Sequence, residues 1–264
     1  MVALLTQRDF RAVQELPFCY LCGKDFQTGD ITDRDHVPPK GLFAKGDREP
    51  ALILRSHRSC NSAQGDVDNK MGQLLKLKRG EAASNLRDRV LKFALFLRQR
   101  MGAVTNVPID EAVWRWIRGF HAALYQQPFP VQRFGSLVTP FPRGQQSNNS
   151  VQVEDIKAQH LKFVELIKAN RAQGSLDRIC SNNDKLVYEC VWVQMTAEGT
   201  TPWSCVFALN LYDWKDLGTV APLPARGCAG CYLMPTGEKV PNGTAEMRSQ
   251  IEFSNDDPLD PFGG

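Results

Sequence analysis

The sequence predicts an α+β fold in two unequal parts. A small N-terminal unit of two strands and a helix is stapled by cysteine and histidine. A larger helical region follows and carries a small antiparallel sheet. Three observations predict this. The pairs Cys19-Tyr-Leu-Cys22 and His57-Arg-Ser-Cys60 bracket a stretch with room for two short strands. Apolar residues recur at helical spacing over residues 74–101, 110–125 and 153–172. Residues 186–195 and 203–212 read as strands joined through a turn at Ala197-Glu-Gly199.

The elements follow in order. Residues 1–16 can form a short amphipathic helix leading into the first Cys pair. Gly23, directly after Cys22, fits the tight turn of a knuckle whose backbone curls around a metal. Residues 31–37 read as a strand ending at Asp35-His36-Val37, and Pro38-Pro39 stops the ladder because neither has an N–H to donate. Gly46-Asp47-Arg48-Glu49-Pro50 is loop, and residues 51–54 form a second short strand. A helix then starts near Asn61 or Ser62, with Asp66 and Asp68 early in it, where negative charge suits the helix dipole. Residues 74–101 read as one long helix that Gly80 interrupts. Residues 110–125 form the next, capped by Asp110, and 153–172 the last. Residues 127–149 are loop, rich in Pro, Gly and Gln. The segment from Phe253 is acidic and rich in Pro and Gly, the composition of a disordered tail. The parts divide at residue 73, into 1–73, 74–252 and the tail 253–264.

At 264 residues and a formal charge of +3, the chain can bury a core, and its total charge excludes no partner. Locally it is more basic: Lys40, Lys45, Arg48, Arg55 and Arg58 fall within the motif region, and Lys76, Lys78, Arg79, Arg87, Arg89, Lys92, Arg98 and Arg100 follow. A solvated helix face explains the later ones as well as a nucleic-acid contact does. The apolar start is too short for a signal peptide, and no stretch approaches a membrane span. A soluble, cytoplasmic protein is the expectation. Its eight cysteines are then thiols or metal ligands, not disulfides.

Cys19, Cys22, His57 and Cys60 supply the number and type of ligands of a closed tetrahedral zinc site. The alternative, three buried thiols and a surface His57, leaves their paired spacing unexplained. Between the pairs stand Asp35 and His36, and Asn61 follows the last Cys. Carboxylate and amide suit a hard divalent cation such as Mg²⁺ or Mn²⁺, and a neutral imidazole can take a proton from water. Neighbours on a strand face opposite sides, so Asp35 and His36 share a site only if the strand end bends. A structural Asp-His pair closing the loop is the plainer alternative. Of the four histidines, His121 lies on an apolar helix and reads as structural, and His160 lies in a charged helix. Asp68 reads as a solvated helix residue or a group behind the metal ligands. Cys228-Ala-Gly-Cys231 is a second Cys pair, which Cys180 could join around a metal, while Cys190 and Cys205 read as core.

Taken together, Cys-x2-Cys, Asp-His-x-Pro-Pro-Lys and His-x2-Cys-Asn resemble the HNH endonucleases, in particular the zinc-stapled, McrA-like kind. The resemblance covers roughly residues 16–72. It implies a ββα-metal core in which Asp35 and Asn61 hold the catalytic cation and His36 is the general base. Two departures stand out. The family's central Asn, which positions the base, has no counterpart in Ala51-Leu-Ile-Leu54, and His57 stands where many relatives have Cys. The resemblance therefore implies a metal-dependent nuclease hydrolysing DNA phosphodiester bonds, with structural Zn²⁺ and catalytic Mg²⁺ or Mn²⁺. Lys40 and Arg58 are its candidate phosphate contacts. Bacterial antiviral defence or restriction, beside a sensing partner protein, is the context it suggests. The rival is a catalytically silent zinc-binding module that recognises nucleic acid or a partner protein.

Overall fold

The computed structural model describes residues 1–78, 93–96, 101–104, 107–129, 135–138, 150–194, 203–212 and 228–233. The chain enters through β1 (Ala3–Leu4) and turns into α1 (Gln7–Ala12) at a capping box. The Thr6 hydroxyl accepts from the Asp9 N–H, and the Asp9 carboxylate accepts from the Thr6 N–H at 2.8 Å, so two donors at the helix start are satisfied together. β2 (Thr32–His36) and β3 (Ile53–His57) pair antiparallel, with Thr32 opposite His57 and His36 opposite Ile53. The second strand thus lies further along the chain than residues 51–54. Its last residue runs directly into α2 (Arg58–Ser62), and α3 (Gly65–Lys78) follows.

The single helix expected over 74–101 is not what forms. α3 ends at Lys78, and β4 (Phe93–Phe96) pairs antiparallel with β5 (Met101–Val104). A run of four apolar residues carries no period of its own, and its two phenylalanines favour a strand. The expected interruption at Gly80, the basic residues Arg79, Arg87, Arg89, Lys92, Arg98 and Arg100, the turn at 197–199 and the tail from Phe253 lie outside the described residues.

α4 (Ile109–Tyr125) begins at Pro108, with Asp110 in its first turn and not at its cap. It is followed by β6 (Gly135–Val138), α5 (Ser150–Ala172), β7 (Asp177–Ser181), β8 (Leu186–Gln194), β9 (Trp203–Leu211) and β10 (Cys228–Leu233). The expected hairpin is present as β8 and β9, with Leu186 opposite Leu211 and Gln194 opposite Trp203. It is not a small sheet but the centre of a mixed six-stranded one, ordered β1-β7-β8-β9-β10-β6, in which only β1 and β7 run parallel. The fold is therefore mixed α+β.

Strand alternation divides the sheet into two faces. Tyr188, Cys190 and Trp192 of β8 join the main core, while Val191 and Val193 pack with Phe163 and Ile167 of α5. α4 occupies the main-core side and is buried almost all round, the pattern of a central helix. One buried cluster runs from Leu4 through Tyr20, Val37, Leu54 and Met71 to Trp114, Phe120, Tyr188 and Phe207, so the core crosses residue 73. At Gly119 of α4 a Cβ would come within 2.5 Å of Val37 Cγ1 and 3.3 Å of Tyr20 Cε2, which places the helix backbone directly on the motif segment.

A second tie joins the sheet to the β2–β3 connection. The turn between β7 and β8 holds Asn182, Asn183 and Asp184 at φ of 57°, 54° and 59°, a left-handed run that Asn and Asp tolerate best among residues with side chains. Asn182 donates its N–H to Pro50 O at 2.7 Å and its Nδ2 to Arg48 O at 3.2 Å.

Candidate metal centre

The first ligand pair is shaped by its turn. Cys19 donates its N–H to Lys24 O at 2.9 Å, and Gly23 donates to Cys19 O at 2.8 Å. Gly23 has φ of 75°, a conformation that favours glycine, so the turn closes tightly enough to bring Cys19 and Cys22 to one point. The second pair comes from the junction of β3 and α2, where His57 ends the strand and Cys60 sits one helical turn on. The candidate ligand atoms of Cys19, Cys22, His57 and Cys60 all lie within 4.8 Å of one another, so the cluster can hold a metal ion. All four ligands expected from the spacing converge.

His57 Nδ1 lies 3.4 Å from Cys22 Sγ, and its Nε2 lies 3.1 Å from Asp30 Oδ2. An imidazole that faces sulfur with one nitrogen and a carboxylate with the other is oriented as metal-bound histidines are. Burial lowers the His57 pKa, but its bonds to Cys22 and Asp30 outweigh this, and the net shift is upward. Burial, and then the Cys19 and Cys22 sulfurs, push the Cys60 thiol up to about 11. Three sulfurs this close cannot all carry charge alone, and a dication among them removes that obstacle. Three thiolates and one imidazole fit a closed tetrahedral site.

The Asp-His step behaves differently. The β2–β3 ladder runs through both residues without a bulge, pairing Asp35 with Leu54 and His36 with Ile53. Asp35 is therefore turned inward and buried, while His36 lies half-buried on the other face. Asp35 Oδ2 accepts from the Tyr20 hydroxyl at 2.5 Å and from Arg115 Nη2 at 2.6 Å. The same guanidinium donates through Nη1 to Asp68 Oδ1 at 2.5 Å. Arg115 is only 4% exposed, so it is a buried cation clasped by two carboxylates. A divalent cation on Asp35 does not fit this arrangement, because the Oδ2 lone pairs already serve Tyr20 and a positive charge. Asn61 lies in α2 beside Cys60, half-buried, and among the described residues no hydrogen bond joins it to Asp35 or His36.

Burial, then the positive charge of Lys40, holds the His36 pKa below its usual value, so its imidazole is neutral near pH 7. Across the ladder it meets Ile53, an apolar side chain. Lys40 is exposed. Arg58 is exposed too, and its Nε pairs with Asp33 Oδ1 at 3.1 Å.

Sequence reasoning missed Arg115 and Tyr20; it read Asp68 as a solvated residue or a group behind the metal ligands, and the structure has it share Arg115 with Asp35. The signal was an arginine between Trp114 and Trp116 on an apolar helix, since a buried arginine demands carboxylate partners. A cavity of about 190 Å³ opens beside Arg115, with Cys60, Gln64, Glu111 and Arg118 in its wall. Among the described residues the second Cys pair is in no cluster that could hold a metal ion. Cys228 and Cys231 lie three apart on β10, one in each of the two cores, and Cys180 instead donates to Asp184 Oδ1 at 2.9 Å. His121 is buried and structural as expected, its Nδ1 2.9 Å from the Tyr232 hydroxyl, and burial pushes its pKa down to about 3. The side chain of His160 lies outside the described residues. Among the described residues no helix is long and apolar enough to cross a membrane.

Comparison with protein-family models, with curated proteins and with solved structures finds no match to this chain.

Proposed function

We propose that this chain is an HNH-type, metal-dependent endonuclease that hydrolyses DNA phosphodiester bonds. The observation that carries the reading is one hairpin feeding one helix, closed by the Cys19–Cys22–His57–Cys60 cluster, with Asp35 and His36 on its first strand and Asn61 on its helix. Zn²⁺ in the cluster is structural: it fixes the end of β3 against the knuckle. His36, kept neutral by burial and by Lys40, takes the proton of the attacking water. Lys40 and Arg58 meet backbone phosphates, Arg58 by exchanging Asp33 for a phosphate. Asp35 and Asn61 are the residues that would hold Mg²⁺ or Mn²⁺, which would supply charge stabilisation at the phosphate. Arg115 must first leave Asp35. Bacterial antiviral defence, in the cytoplasm and beside a sensing partner protein, is the setting we infer.

The Arg115 clasp and the apolar Ile53 favour a second reading, a catalytically silent zinc-binding module that recognises nucleic acid or a partner protein. A plasmid-cleavage assay separates the two. The nuclease nicks or linearises DNA with Mg²⁺ or Mn²⁺, stops with EDTA, and loses activity in His36→Ala while keeping its zinc. DNA retention without cleavage under every metal condition selects the silent module.

A further inference from the structure

We infer that Arg115 is a built-in counter-cation that competes with a divalent metal ion for Asp35, so that metal uptake depends on whether α4 gives up this contact. The inference rests on the nuclease reading for its purpose but not for its test.

The geometry points to competition. Arg115 Nη2 and Nη1 reach Asp35 Oδ2 and Asp68 Oδ1 at 2.6 and 2.5 Å, so two carboxylates 33 positions apart in the chain face one cation. Neither carboxylate needs the other for the fold of its own element. Asp35 sits in a ladder fixed by backbone bonds, and Asp68 sits in the first turn of α3. Two carboxylates and one guanidinium sum to a charge of −1, whereas two carboxylates and one divalent cation sum to zero. The exchange therefore improves local charge balance while the Tyr20 hydroxyl goes on donating to Asp35.

The displaced side chain has somewhere to go. The cavity of about 190 Å³ has Arg115 itself in its wall, together with Glu111. Glu111 is exposed and lies four residues before Arg115 on α4, the spacing at which helix side chains pair. Arg115 can thus swing from Asp35 and Asp68 toward Glu111 without being left buried and unpaired.

The test is Mn²⁺ binding to the zinc-loaded full chain, read from the loss of the free-ion electron paramagnetic resonance signal. Arg115→Gln is expected to bind Mn²⁺ about ten-fold tighter than the parent or more, the factor that one charge-assisted hydrogen bond represents. Asp35→Asn in the same background should abolish the gain. Arg115→Lys keeps a buried positive charge, which guards against loss of the fold, but one ammonium cannot fork to both carboxylates. It should shift affinity in the same direction by a smaller factor. If a folded Arg115→Lys or Arg115→Gln chain binds Mn²⁺ no better than the parent, the competition does not exist. Tighter Mn²⁺ binding with no DNA cleavage in any variant would leave the counter-cation standing and remove only the nuclease reading. Cleavage by the parent, with Mn²⁺ affinity unmoved by Arg115 substitutions, would do the reverse.

Discussion

Gly119→Ala should destabilise the protein although it improves the helix. In the interior of an exposed helix, alanine is favoured over glycine by about 1 kcal/mol. Here the new methyl would stand 2.5 Å from Val37 Cγ1, 3.1 Å from Val37 Cγ2 and 3.3 Å from Tyr20 Cε2. Carbon atoms in ordinary contact sit at about 3.5–4.0 Å, so Val37 or the helix must give by roughly 1 Å. Val37 is poorly able to do so. It is a β-branched side chain with a restricted rotamer, fully packed, in the step between His36 and Pro38. Overpacking of this kind costs about 1–3 kcal/mol or somewhat more, which exceeds the propensity gain, so the net loss should be about 1–2 kcal/mol. Urea unfolding followed by circular dichroism should show a lower midpoint at unchanged slope. In a Val37→Ala background both close atoms are gone. There Gly119→Ala should be neutral or stabilising by up to about 1 kcal/mol, a coupling of roughly 2 kcal/mol across the cycle. A Gly119→Ala protein as stable as the parent would refute the claim that α4 lies directly on the motif segment.

The cluster makes the most direct further prediction. Purified protein should carry zinc near one equivalent, and Cys60→Ser or a strong chelator should unfold the segment around β2 and β3, seen as loss of amide protection there, because metal binding at such sites is folding free energy. His121 predicts a pH effect. Its folded pKa of about 3 lies below the unfolded value near 6.5, so the unfolded chain binds the proton first and stability falls as pH drops from 6.5 toward 3. The loss should be about 2 kcal/mol by pH 5, and the difference in urea midpoint between pH 7 and pH 5 should shrink in His121→Phe. A fragment of residues 1–73 should bind a hydrophobic dye and unfold without cooperativity even with zinc, because Tyr20, Val37 and Met71 share one buried cluster with Val113, Trp116 and Leu211 in the whole chain. A sharp unfolding transition in that fragment would show that the motif unit stands alone.

The sequence by itself determined the metal cluster and the hairpin. Ligand pairs declare themselves by spacing, because a knuckle and a helical turn each fix two ligands locally, and only the approach of one pair to the other is tertiary. β8 and β9 were legible for a similar reason, since nine residues each give a period time to appear. The four residues of β4 did not, and a strand pair was read as helix. Cys228 and Cys231 looked like a chelating pair until the strand around them sent one to each face of the sheet. What only tertiary structure decided is the state of Asp35. Its partner Arg115 lies 80 positions away on a helix that turns nearly every side chain inward, between the motif unit and a six-stranded sheet. A carboxylate's role depends on the charge that reaches it, and through-space Coulomb attraction leaves no mark in local spacing. The local pattern brings Asp35 to a strand, and the packing of α4 sets a guanidinium against it.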